Sequence, residues 1–200
     1  MSIVVEHEKR RKEILEKALD VFITEGYVDA TFQKIADKCS ITRTTLYLYF
    51  KNKREIFNYS IKLLLAKVEE DIQVIISDDS LDSVEKITEV LMKIFRHIEE
   101  NRLLLSVILD YLLHLSKRSG DPEKPVRRRT VKLRHILSSL VIEGIKTGKL
   151  KPVNVKTADD YLYSFIEDAI FRMTVLQQET VGNLRETVIF AVKQFTNDKP

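Results

Sequence analysis

Residues 31–50 read TFQKIADKCSITRTTLYLYF, and the spacing of apolar residues here predicts two short helices joined by a tight turn. Thr31 precedes the first helix, where its side-chain oxygen can accept a hydrogen bond from a free backbone N–H group. Small or apolar residues then recur at i, i+3, i+4 and i+7, which is one face of an α-helix, at Phe32, Ile35, Ala36 and Cys39. Ser40 and Ile41 interrupt this pattern and are expected to form the turn.

The second helix of the pair offers few residues for burial. Thr42 can cap it, and Leu46 and Phe50, four positions apart, share its inward face. Thr44 and Leu48 point in nearly the opposite direction. A helix this short, with so few buried residues, is expected to be present because its outer face binds a partner. A short helix that packs on another across a turn of about three or four residues, with its N-terminal half outward, is the helix-turn-helix arrangement of DNA-binding proteins.

Residues 30–54, ATFQKIADKCSITRTTLYLYFKNKR, resemble the DNA-binding domain of the tetracycline-repressor family. The resemblance is carried by the Ile-Ala pair of the first helix, the T-x-x-T-L-Y-x-Y-F pattern of the second, and the K-N-K-R sequence that follows. Ser40 departs from the family pattern, because a glycine usually stands at this turn position, which tends to need a positive φ. A serine there costs on the order of 1 kcal/mol relative to glycine.

The resemblance implies an all-α protein with two domains. Residues 1–52 would form a three-helix DNA-binding domain with the helix-turn-helix, and residues 53–200 a six-helix domain for effector binding and dimerisation. The implied function is that of a transcriptional regulator, usually a repressor, which binds a near-palindromic DNA operator as a homodimer and is released by a small-molecule effector. The alternative is a constitutive DNA-binding or interaction protein whose C-terminal domain only dimerises or binds a protein partner.

The candidate DNA-binding residues lie in and around the two short helices. Arg43 is placed and shaped for a bidentate contact with guanine in the major groove. Gln33, Thr44 and Tyr47 are close enough to share the groove edge. Phosphate oxygens accept hydrogen bonds from the backbone at helix starts, from hydroxyl groups and from cations. Contacts with phosphates are therefore expected at Thr31, Thr42, Thr45, Tyr49 and Lys53.

Charge and composition agree with a DNA-binding module. From Phe32 to Arg54 there are six basic residues and one acidic residue, a local net charge of +5, although the whole chain carries only +3. The single cysteine indicates a reducing cytoplasm, and the N-terminus lacks the apolar core of a signal peptide. The apolar stretch Leu103–Leu115 is too short to span a bilayer and contains Asp110. A cytoplasmic protein without membrane segments is therefore expected.

No catalytic constellation is visible in the sequence. The four histidines lack metal-ligand spacing, and there is neither a glycine-rich phosphate loop nor a nucleophile-elbow motif. Cys39 lies on an apolar helix face and is expected to be a core residue. The sequence therefore predicts no enzyme, no cofactor and no metal site.

The rest of the chain is predicted to be helical, with a loop at Ser119–Pro125. A first helix is expected to end at Gly26, and a fourth helix to run unbroken from the DNA-binding module into the next domain. The predicted helices outside residues 31–50 are Glu6–Glu25, Lys53–Ser77, Leu81–Glu100, Arg102–Lys117, Val126–Lys146, Thr157–Gln178 and Asn183–Phe195.

Two further sets of residues in the C-terminal region are candidates for binding. The first set could line an apolar pocket with a few polar groups, or could simply be core: Leu104, Ile108, Tyr111, Tyr161, Phe165, Asp168 and Arg172. The second set lies on the last two helices, whose apolar stripes have no later element to cover them. A four-helix bundle with a second subunit is therefore expected at Ile166, Ile170, Met173, Leu184, Val188 and Val192.

Overall fold

The computed structural model describes residues 3–116 and 123–197, with side chains for residues 5–115 and 130–197. Within these ranges the chain forms nine α-helices and one isolated bridge between Leu150 and Thr196. The helices are α1 (Ile3–Asp29), α2 (Phe32–Lys38), α3 (Arg43–Tyr47), α4 (Lys53–Ile76), α5 (Ser83–Glu100), α6 (Arg102–Ser116), α7 (Glu123–Lys146), α8 (Val155–Thr174) and α9 (Leu184–Phe195). None of the helices in the described ranges combines the length and apolar composition that a membrane span requires.

The all-α prediction is confirmed, while several helix ends differ from those predicted. Gly26 leaves helical geometry at φ 75° as expected, but helical turns resume after it and α1 continues to Asp29. Helix α8 starts at Val155 because the Asn154 side chain caps it. Helix α7 starts inside the predicted loop Ser119–Pro125, whose earlier residues lie outside the described ranges.

The helices pack into two compact units. The N-terminal unit comprises residues up to Lys67 together with Val107–Leu113, and the C-terminal unit comprises Val68–Ser106 and the residues from His114 onward. The packing therefore divides further along α4 than the predicted domain boundary after residue 52. The reason is that Phe57 of α4 and Tyr111 of α6 join the aromatic core of the N-terminal unit.

The N-terminal unit buries the apolar faces predicted for the two short helices. Its core contains Ile14, Ala18 and Phe22 of α1, Ile35 and Ala36 of α2, Leu46 and Phe50 beside them, and Ile56 and Phe57 of α4. Cys39 is buried, and burial raises the pKa of its thiol, so the thiol stays protonated as expected of a core residue. Ser40 adopts φ 55°, which confirms the left-handed turn position.

The C-terminal unit has a separate core formed by α5, α7, α8 and α9. This packing corrects the predicted dimer interface. Ile166, Met173, Leu184, Val188 and Val192 are buried inside the chain's own core, and Ile170 is partly buried against it. The apolar stripes of α8 and α9 are covered because α5 packs against both helices and α7 packs against α8. Five of the six predicted residues are therefore covered within the chain itself, and Ile170 is partly covered.

The predicted ligand-binding residues are also distributed differently from the expectation. Tyr111 belongs to the N-terminal unit, where it is buried between Tyr27 and Phe57, so it does not line a pocket of the C-terminal unit. Ile108 lies in the same segment and is half-buried. The other five predicted residues, Leu104, Tyr161, Phe165, Asp168 and Arg172, lie in the C-terminal unit.

Within the C-terminal unit, these residues mostly make structural contacts. Leu104 and Phe165 are buried core side chains. The Arg172 guanidinium donates to Asp168 at 3.0 Å and is therefore already paired with an acid. Tyr161 lines an open groove of about 480 Å³. The void in the core beside Ile87, Val141 and Leu162 measures only about 10 Å³, far smaller than a ligand pocket.

Candidate nucleic-acid interface

The helix-turn-helix is fixed by caps that its own sequence supplies. The Thr31 hydroxyl oxygen accepts the N–H of Lys34 at 3.1 Å, and the Thr42 hydroxyl oxygen accepts the N–H of Thr45 at 3.0 Å. Each bond satisfies one of the backbone donors left free at a helix start. Between the two helices Ser40 makes the left-handed turn. The turn therefore brings the N-terminus of α3 outward, as the sequence predicts.

Three side chains are stacked at the outer face of α3, two from α3 itself and one from α2. The Arg43 guanidinium donates to the Tyr47 hydroxyl at 3.2 Å and lies over the Tyr47 ring, 5.7 Å from its centroid. The Tyr47 ring in turn packs on Phe32 of α2, with 4.5 Å between ring centroids. Arg43 and Tyr47 are both exposed. This arrangement holds a planar, five-donor group toward solvent, which is the geometry that a bidentate contact to guanine uses.

The remaining predicted contacts lie around this layer. Thr44 is exposed, and Thr45 is half-buried with its hydroxyl 2.8 Å from that of Thr42. Gln33 is exposed on α2, where its amide donates to Asp37 at 2.7 Å. Tyr49 stacks on His7 of α1, with 4.6 Å between ring centroids. That contact was missed because histidine and tyrosine 42 positions apart give no local signal.

The positive charge of the module is smaller than the sequence count suggests. Lys34 pairs with Glu25 at 2.5 Å and Lys38 pairs with Asp20 at 3.4 Å, so two bases of α2 are matched by acids of α1. Arg43, Lys51 and Arg54 remain exposed and make no ion pair with another described residue. The unmatched charge therefore lies on α3, on the residues that precede α4 and on the first turn of α4.

Lys53 has a structural role that the sequence did not reveal. Its ammonium group donates to the carbonyl oxygens of Tyr27, Val28 and Ala30, each at 2.7 Å. These carbonyls belong to the C-terminal end of α1 and the residue after it, where backbone acceptors lack helical partners. Burial lowers the pKa of this ammonium and nearby Asp29 opposes the effect. The phosphate contact of Lys53 stays a prediction. The ammonium group would have to share its N–H donors between a phosphate and these three carbonyl oxygens.

Replacing Lys53 with methionine tests the structural role. Hydrogen bonds to a charged group typically contribute about 1.5–3 kcal/mol, so we expect the free energy of unfolding to fall by about that amount. Lys51→Met is the matched control, because that exposed side chain should change stability by less than about 0.5 kcal/mol. Urea denaturation followed by circular dichroism measures both variants, and equal stabilities would show that the three carbonyl contacts contribute nothing.

A phosphate contact by Lys53 would appear in a different measurement. Loss of one phosphate contact lowers the slope of log affinity against log salt concentration by roughly one. The salt dependence of DNA affinity, measured for the Lys53→Met protein below its unfolding temperature, separates the two roles. Reduced stability does not change this slope as long as the protein is folded.

In the described ranges, no group of three or more His, Cys, Asp or Glu side chains is arranged to hold a metal ion. Comparisons with known proteins instead point to transcriptional regulation. The family of bacterial regulatory proteins named for the tetracycline repressor has a model that matches residues 14–59, which contain α2 and α3.

Similar proteins extend the likeness over most of the chain. The fatty acid metabolism regulator protein of Bacillus subtilis is 26% identical over 170 residues, covering 82% of this chain and 84% of the relative. The transcriptional repressor KstR2 of Mycolicibacterium smegmatis is 28% identical over 162 residues, covering 80% and 75%. A crystal structure of FadR from Bacillus subtilis in complex with stearoyl-CoA superposes with a TM-score of 0.71 at 23% identity, covering 90% and 96%.

The matched family model lies on the helix-turn-helix, and the relatives that span most of the chain are regulators rather than enzymes. An exposed arginine at the start of α3 and a capped turn between the two helices are compatible with a protein of that class. Residues 14–59 therefore form a DNA-binding domain of the tetracycline-repressor type, and the family match and the relatives together support a DNA-binding transcriptional regulator of that kind.

Proposed function

We propose that the protein is a homodimeric repressor that inserts α3 of each copy into the major groove of a near-palindromic operator. The observation that carries the proposal is the exposed Arg43 guanidinium supported by Tyr47 and Phe32. Arginine bonded in this way loses little side-chain freedom on meeting a base. Selection of duplexes from a randomised DNA library by the purified protein tests the proposal. A near-palindrome with half-sites one helical turn apart, or a multiple of it, is expected.

Dimerisation is supported by apolar side chains that the chain itself leaves uncovered on α8 and α9. Phe190 is 67% exposed and Phe171 is 49% exposed, and both lie on the opposite side of their helices from the buried stripes. The same two helices expose Tyr161 and Ile189, and Val175 and Leu176 are exposed just after α8. Clusters of large exposed apolar groups mark interaction surfaces. We therefore assign the dimer interface to these residues in place of the buried set.

The effector that we propose is a long-chain acyl thioester. Support comes from the Bacillus subtilis relative named as a regulator of fatty acid metabolism and from the similar Bacillus subtilis structure of FadR bound to stearoyl-CoA. The core of the C-terminal unit is apolar, as an acyl chain requires. Its void of about 10 Å³ beside Leu162 is too small for such a chain. Binding would therefore separate helices of this unit, a cost that the effector must offset.

Effector binding can influence the N-terminal unit through helices that contribute to both units. Helix α4 is shared at Lys67 and Val68, and α6 contributes Val107–Leu113 to the N-terminal unit. Tyr111 of this segment contacts Tyr27, with 4.3 Å between ring centroids. Burial and the neighbouring Tyr111 raise the pKa of Tyr27 to about 12, so its hydroxyl is protonated at neutral pH. A displaced α6 would disturb this contact and the adjoining carbonyls that bind Lys53.

Stearoyl-CoA titrated into the protein–operator complex tests the effector. We expect operator affinity to fall by about 5- to 150-fold, which corresponds to a coupling of about 1–3 kcal/mol, whereas free coenzyme A should have no effect. Linkage requires the operator to weaken stearoyl-CoA binding by the same factor. Equal affinities for free and operator-bound protein would favour the constitutive DNA-binding alternative. In either case the protein would act with the DNA in the cytoplasm.

A further inference from the structure

Leu48 is the most exposed of the large hydrophobic side chains in the described ranges, at 75%. It follows α3 directly, and its backbone keeps helical angles, φ −69° and ψ −23°, so the side chain stays in phase with the helix. Isolated exposed leucines are common on protein surfaces. Leu48 lies beside the groups proposed to bind DNA, and an apolar side chain there is stabilised only by contact with an apolar group of the DNA.

The exposed surface of α3 consists of two neighbouring ridges. Arg43 and Tyr47, four residues apart, form a ridge that carries hydrogen-bond donors and is linked by the 3.2 Å bond. Thr44 and Leu48, also four residues apart and both exposed, form a second ridge that carries methyl groups. Such a surface suits two neighbouring base pairs of which one presents hydrogen-bond acceptors in the major groove and the other presents an apolar group.

The floor of the major groove offers one apolar group to such a ridge, the C5-methyl of thymine. The other exposed base edges carry hydrogen-bond donors or acceptors, and Leu48 would strip water from them without replacing the lost bonds. We propose that Leu48 recognises a thymine methyl group in each half-site, beside the base pair that Arg43 contacts. This inference rests on the proposed operator-binding function and adds a specificity-determining residue to it.

The proposal has a sharp chemical signature because uracil differs from thymine only by this methyl group and keeps the same pairing edge. The probe is the duplex that the full chain selects from a randomised library. Each thymine of a half-site is replaced by uracil in turn, together with its symmetry mate. Fluorescence anisotropy then gives Kd for the wild-type protein, for Leu48→Ala, and for Val74→Ala, a control that truncates another highly exposed aliphatic side chain.

Removing one buried methyl group should weaken binding by about fourfold, and the symmetric pair by about 16-fold, at one thymine position for the wild-type protein. Leu48→Ala should bind the thymine duplex less tightly and lose nothing further with uracil at that position. Val74→Ala should keep the full uracil effect. Thermal midpoints equal to that of the wild-type protein would show that both variants are folded, as expected for exposed positions.

Two results would overturn the assignment of Leu48. A Leu48→Ala protein that retains the full uracil effect would mean that another side chain contacts the methyl group. A wild-type protein insensitive to uracil at every thymine would mean that no methyl group is recognised. Failure to select any duplex is distinguishable from both, because it would remove the operator-binding function itself and the inference with it.

Discussion

Phe190→Glu should convert the protein into a monomer that no longer binds its operator tightly. Phe190 is 67% exposed on α9 and belongs to the proposed dimer surface. A carboxylate there would have to lose its water without a partner when two copies associate. Two linked half-site contacts gain about 10²–10⁴ in affinity over a single one, so we expect the operator Kd to rise by at least about 100-fold. Light scattering and anisotropy measure the two effects.

A control is needed because the substitution also adds charge. Val74→Glu adds the same charge at another exposed apolar residue of the C-terminal unit, 68% exposed, and should leave both mass and affinity unchanged. Val188→Glu is unsuitable as a probe of the interface, because that side chain is fully buried and the variant should unfold. A Phe190→Glu protein that remains dimeric at micromolar concentration would refute the proposed surface.

Arg43→Ala should cost about 1–3 kcal/mol per half-site, a 5- to 150-fold loss of affinity for each half-site, and should relax the preference at one or two base pairs. The loss is expected because the variant removes the donors that Tyr47 holds toward solvent. Arg54→Ala is the charge-matched comparison, since Arg54 is exposed at the start of α4 but lies outside the supported layer.

The two arginine variants should differ in specificity. Arg54→Ala is expected to weaken operator and random DNA to a similar extent, as loss of a general electrostatic contribution does. Arg43→Ala should weaken the operator more than random DNA. If Arg43→Ala weakens both equally, Arg43 contacts a phosphate and the assigned base contact is wrong.

The features that sequence predicted well are local ones. Thr31 and Thr42 cap helices, and Ser40 adopts the left-handed turn, because each outcome depends on neighbours within about four residues. The inward faces of α2 and α3 follow from helical periodicity in the same way. These features suffice to locate the helix-turn-helix and the exposed Arg43.

The features that sequence missed depend on residues far apart in the chain. Lys53 contacts carbonyls more than twenty positions away, and the pairing of Lys34 with Glu25 joins two helices. The dimer interface that we propose differs from the residues that the sequence predicts because α8 and α9 are apolar on two sides. Sequence does not show that α5 covers the stripe containing Val188, which leaves the side containing Phe190 exposed.

The central claim is that the helix-turn-helix of α2 and α3 binds one DNA sequence in preference to others. The most direct test measures Kd at physiological salt for the selected duplex and for a scrambled duplex of the same composition. Specific DNA-binding proteins show ratios of roughly 10³ or more between such duplexes, and we predict a ratio in that range. Equal affinities for the two duplexes would contradict the account.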